Sequence, residues 1–97
     1  MKNLSEIKRI LSSHKDYLKK NYNVKYIGIF GSFVRGEQKK TSDVDILVDF
    51  NSPIDFFEFI KLEEELSKLL GIKVDLVSKK ALKPYIGKYI LKEVVAI

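Results

Sequence analysis

Residues 44 to 50 read Val-Asp-Ile-Leu-Val-Asp-Phe, and this alternation limits the fold more than any other feature. Val44, Ile46, Val48 and Phe50 fall on one face and Asp45, Leu47 and Asp49 on the other, the period of a β-strand with one packed side. Two other segments share the character. Val24 to Phe30 is rich in β-branched and aromatic residues and stops at Gly31-Ser32, as a buried strand running into a tight turn would. Ile72 to Val77 alternates again, with Asp75 opposite Ile72, Val74 and Leu76.

Helical periodicity fills the intervals. Asn3 and Glu6 have capping-box spacing, and Leu4, Ile7, Ile10, Leu11, Tyr17 and Leu18 predict one amphipathic helix over residues 4 to 21. Phe33 to Ser42 starts apolar and turns polar, so a short helix and an exposed loop are expected there. Ser52 as cap, Pro53 at the first helical position and Gly71 past the end bracket a long helix with Phe56, Phe59, Ile60, Leu66, Leu69 and Leu70 in its stripe. Pro84, Ile86, Tyr89, Ile90 and Val94 predict one or two closing helices. The expectation is an α/β fold, a small mixed sheet covered by helices, in a single domain spanning residues 1–97.

Composition adds mainly exclusions. With no cysteine, neither disulfides nor a thiolate metal site supplements the core. No run approaches the roughly 20 apolar residues of a membrane span, and the amino terminus lacks the apolar stretch of a signal peptide, so a soluble cytoplasmic protein is expected. The net charge of +5 suits nucleic acid, nucleotides or an acidic protein as partner, but the lysines are spread through nearly every segment.

The chemistry concentrates in three acids and a turn. Asp43 and Asp45 lie two apart at a strand start, so their carboxylates leave one face and converge. Two such charges at about 4 Å repel by roughly 4 kcal/mol at an effective dielectric of 20, a cost that a cation removes. Mg²⁺, a hard ion held by one or two carboxylates plus substrate phosphates, suits the pair. The bland alternative is a capping Asp43 and a solvated Asp45. Asp75, on another strand and away from its apolar stripe, could complete a two-metal phosphoryl-transfer site or be an ordinary exposed strand residue. Gly31-Ser32 allows backbone N–H groups and a hydroxyl to approach phosphate closely. Gly31 and Gly36 have P-loop spacing, but Glu37-Gln38 stands where that motif needs Lys and then Ser or Thr. Arg35 could pair with phosphate or be surface charge.

Together, Gly31-Ser32-Phe33-Val34-Arg35-Gly36 and Ser42-Asp43-Val44-Asp45-Ile46-Leu47-Val48, with Asp75 on a later strand, resemble the signature of the DNA polymerase β-like nucleotidyltransferase superfamily. Within it, the minimal nucleotidyltransferase group is most similar, over nearly the whole chain and including Leu82-Lys83-Pro84 and the closing helix. The resemblance implies a polymerase β-like core in which Asp43 and Asp45 bind one or two Mg²⁺ ions and Asp75 is a further ligand or base. It implies nucleotide contacts at Gly31, Ser32, Arg35 and Ser42, with Ser32 holding the triphosphate. Minimal members resemble antitoxins that silence a HEPN ribonuclease toxin by moving AMP from ATP onto a toxin tyrosine. The implied partners are thus ATP and a HEPN-type toxin, in a hetero-oligomer; nucleic acid is not expected as a direct substrate.

Two rivals belong beside that expectation. One is a non-catalytic antitoxin that neutralises its toxin by binding alone; the other is a transferase or binder acting on RNA, against which no aromatic and basic residues interleave on one stripe. The remaining candidates are bland: His14 within the first helix is a surface or boundary residue. Phe56, Phe57 and Phe59 cannot all face inward, so one of them could be interfacial; Tyr85 and Tyr89 could likewise contact a partner, but core packing is the expected use.

Overall fold

The computed structural model describes residues 2–97. Helices α1 (Leu4–Ser13) and α2 (Lys15–Tyr22) precede strand β1 (Val24–Phe30), the short helix α3 (Ser32–Arg35) and strand β2 (Val44–Phe50). Helix α4 (Phe56–Leu70), strand β3 (Val74–Ser78), a 3₁₀ turn at Lys79–Ala81, helix α5 (Pro84–Glu93) and strand β4 (Val95–Ala96) follow. The sheet order is β3-β2-β1-β4, with β2 and β3 parallel and the other pairs antiparallel, so the expected mixed sheet is present.

The core lies on one face. Ile27 and Ile29 of β1, Val44, Ile46 and Val48 of β2, and Val74 and Leu76 of β3 meet Ile7, Leu11, Leu18, Leu62, Leu66 and Leu70 from α1, α2 and α4. Burying a Leu or Ile side chain contributes about 1.5–3 kcal/mol, which explains why three helices crowd this side. No described helix is long and apolar enough to cross a membrane.

Four sequence expectations are corrected. The single helix over residues 4 to 21 is two helices, broken at His14. Ser13 Oγ and His14 Nδ1 both lie on the Ile10 carbonyl, at 2.8 and 2.9 Å, while the His14 N–H donates to Leu11 O; local side-chain bonds thus displace one helical rung. The long helix starts at Phe56, three residues after the expected Pro53, because Asp55 Oδ1 accepts the Glu58 N–H at 2.8 Å and caps it in place of Ser52. The third strand runs Val74–Ser78, not from Ile72. The chain closes in a strand as well as a helix: β4 pairs with β1 at Gly28 and Ile29, and the Ile97 N–H donates to Ile27 O.

Two devices fix what lies near the second face. A Cβ on Gly28 would sit 2.6 Å from Val94 Cγ2, so only glycine lets the segment after α5 lie this close to β1. The outward N–H groups of edge strand β3 are taken by α4: Val74 donates to Ser67 Oγ at 2.9 Å and Leu76 to Glu63 Oε2 at 2.8 Å. Those bonds flank Asp75.

Candidate active site

The strand register sets the site. Phe30 of β1 pairs with Asp45 of β2, and Asp45 with Asp75 of β3, so the two carboxylates are cross-strand neighbours on the face away from the core. The next row is Gly28, Leu47 and Val77; Leu47 is fully buried there. Asp43 stands just ahead of β2. An open cleft of about 530 Å³ lies over Asp45 and Asp75, bounded by Gly31 and Arg35 on one side and by Ile86, Tyr89, Ile90 and Glu93 of α5 on the other.

Gly31 is required twice. Its φ of +83° is a conformation that side-chain-bearing residues avoid, and a Cβ on it would land on Asp45 Oδ2. The turn therefore brings backbone directly against the carboxylate. The Gly31 N–H donates to Glu93 Oε2 at 2.8 Å, and Arg35 Nη1 reaches Glu93 Oε1 at 2.6 Å. Burial pushes the Glu93 carboxyl up, but the Gly31 N–H and the Arg35 guanidinium outweigh it and hold it below the ordinary carboxylate range.

Asp45 goes the other way. Burial, then the charges of Asp75 and Asp43, push its carboxyl up to about 6, with Arg35 opposing. This is a concentration of like charge short of a cation. Among the described residues no three acidic or histidine side chains are already gathered as an ion cage. The donor set fits an ion shared with a substrate, since Mg²⁺ takes one or two carboxylates and draws its remaining ligands from phosphate and water. A larger hollow of about 630 Å³ between α2 and α4 offers no comparable site, because its Glu65 accepts from Tyr17 and faces Lys61 and Lys68.

Ser32 opens α3 and is half-buried beside Gly31. Arg35 borders the cleft but is engaged by Glu37 at 2.7 Å as well as by Glu93. Ser42 turns elsewhere: its Oγ accepts the Lys39 N–H at 2.8 Å, and it lines a separate hollow with Lys39 and Lys40. Glu93 was not among the sequence candidates, since a glutamate in a last helical turn carries no mark of a partner 62 residues away. Tyr85 and Tyr89, expected in the core, are exposed, as are Phe56 and Phe57, while Phe59 is partly buried against Phe50.

Comparison with known proteins agrees with this geometry. Residues 11–97 match the sequence profile of the family described as "Nucleotidyltransferase domain". The protein adenylyltransferase MntA of Thermococcus cleftensis is 54% identical over 95 residues, covering 98% of this chain and 96% of that one. A provisionally assigned protein adenylyltransferase of Methanocaldococcus jannaschii is 54% identical over 98 residues and covers both chains fully. A solved structure provisionally assigned as a minimal nucleotidyltransferase superposes with a TM-score of 0.74 at 29% identity, over 96% of this chain and 90% of that one. A chain of a solved toxin–antitoxin structure with AMP-PNP shares the fold at TM-score 0.71 and 23% identity, over 95% of this chain and 69% of that one. Register, profile and relatives converge, and the chain belongs to the nucleotidyltransferase family as one of its minimal members.

Proposed function

We propose that this nucleotidyltransferase is an antitoxin-type protein adenylyltransferase, moving AMP from Mg·ATP to a tyrosine hydroxyl of a HEPN-type toxin. The observation that carries the proposal is the pairing of Asp45 with Asp75 across β2 and β3, beside the Gly31 turn and open to one cleft. The names of the relatives support the protein acceptor. A solved complex of a tri-AMPylated Shewanella oneidensis HEPN toxin with an MNT antitoxin shares the fold at TM-score 0.69.

Asp43 and Asp45 would hold Mg²⁺, which supplies positive charge to the phosphates of the bound nucleotide. Ser32, at the start of α3 beside the Gly31 turn, would hold the triphosphate through its hydroxyl. Asp75, exposed on an edge strand, accepts the proton of the incoming hydroxyl. The phenol oxygen bonds to the α-phosphorus, the bond to the β-phosphate bridge breaks, and pyrophosphate leaves. Positioning supplies much of the acceleration, and β2 and β3, cross-braced by α4, are rigid carriers for it.

Labelled ATP incubated with the toxin tests the proposal. Transfer of label by the natural chain, lost in Asp43→Asn with Asp45→Asn while the fold persists, is the expected result. Undiminished labelling by the double variant contradicts it. If the variant does not label yet still neutralises the toxin, docking alone is the biological device.

A further inference from the structure

Helix α5 carries an apolar face that the protein leaves uncovered. Tyr85, Ile86 and Tyr89 are 75%, 56% and 63% exposed, and the two tyrosine rings stack edge to face with centroids 5.7 Å apart. At the start of α4, Phe56 and Phe57 are 71% and 81% exposed. The two patches are linked: Val77 lines both the catalytic cleft, with Ile86 and Tyr89, and an apolar groove of about 460 Å³ with Ile54, Phe56 and Phe59. Apolar surface thus runs from the first turn of α4 to the rim of the cleft that holds Asp45 and Asp75.

Lysines frame the α5 side of this band, while Asp55 and Glu58 stand exposed at its α4 end. Lys79, Lys80, Lys83, Lys88 and Lys92 are all exposed on and before α5. The single acid of the segment, Glu93, is already neutralised by Arg35 and the Gly31 N–H. Area agrees with an interface. Four aromatic side chains of roughly 150–250 Å² each, exposed to this degree, offer about 400–700 Å², much of the ~800 Å² per partner that a standard interface buries.

We propose that α5 and the adjoining α4 groove form the docking face for the acceptor protein. Its complementary surface is an apolar ridge flanked by aspartates and glutamates on the side that meets α5, with the acceptor hydroxyl at the ridge's edge. Aromatic anchors at the centre hold the complex, and the lysine rim steers and orients it. Because the band ends at Ile86 and Tyr89 on the cleft wall, docking there delivers the hydroxyl to Asp75. The inference rests on the protein-adenylyltransferase reading and adds to it where the acceptor sits.

Calorimetric titration with a purified HEPN-type toxin tests it, using the intact chain, Tyr85→Ser with Phe56→Ser, and Lys83→Glu with Lys88→Glu. None of these residues lines the catalytic cleft. Both variants are expected to weaken toxin binding by about tenfold or more and to lower toxin labelling in parallel, with AMP-PNP affinity and melting temperature unchanged. Toxin affinity equal to that of the natural chain in both variants overturns the docking face and leaves the proposed reaction intact. Failure of the natural chain to bind or label toxin overturns both. Variants that lose only self-association, or only RNA binding, assign the band to a second copy or to RNA and overturn it as well.

Discussion

Asp45 is where fold and chemistry oppose each other. In the folded chain its carboxyl titrates at about 6 against an ordinary value of 3.8, because burial and the charges of Asp75 and Asp43 disfavour ionisation. The folded state binds this proton more tightly than the unfolded one. Its stabilising contribution is therefore complete below about pH 4 and lost as pH rises through 6. Asp45→Asn should remove that loss: without divalent cations it is expected to be about 1 kcal/mol more stable than the natural chain at pH 8. That figure is below the full shift because the group is partly solvated. Near pH 4 the two should converge, and melting curves across this range check it. Mg²⁺ with ATP analogue should raise the melting temperature of the natural chain alone. Gly31→Ala offers a second residue-scale test: a side chain at φ +83° and a Cβ on Asp45 Oδ2 should cost about 1–3 kcal/mol and abolish AMP-PNP binding in calorimetry.

At the scale of elements, alternation was the informative signal. The two-residue period of β2 and β3 put Asp45 and Asp75 opposite their apolar stripes, and the register then set them side by side. What the period could not carry is local competition for backbone groups. The break at His14 depends on two side chains reaching the same carbonyl, and the start of α4 depends on which of Ser52 and Asp55 meets a free N–H. Asp55→Ala should therefore cost about 1 kcal/mol, while Ser52→Ala should be nearly neutral, a contrast that denaturant titration resolves. The bracing of β3 was equally hidden, since it joins Glu63 to a strand 13 residues on. Glu63→Ala leaves the Leu76 N–H without its partner, and a loss of about 1–3 kcal/mol with faster hydrogen exchange at Leu76 is expected.

Viewed whole, the molecule is one-sided. Helices α1, α2 and α4 bury the inner face of the sheet, while the outer face keeps a carboxylate row and a cleft between α5 and the Gly31–Arg35 segment. The sequence leaves that division open, because the amphipathicity of α5 favours a packed helix over the partner-facing one in which Tyr85 and Tyr89 meet solvent. The same asymmetry suits an enzyme whose second substrate is a folded protein, since an exposed outer face admits a large acceptor to Asp75. Intact-mass measurement of a HEPN-type toxin after incubation with this chain, ATP and Mg²⁺ tests that claim most directly. Mass increments in whole multiples of one adenylyl group, located on tyrosine and absent with Asp43→Asn/Asp45→Asn, are predicted; an unmodified toxin, or modification that survives in the double variant, contradicts the account.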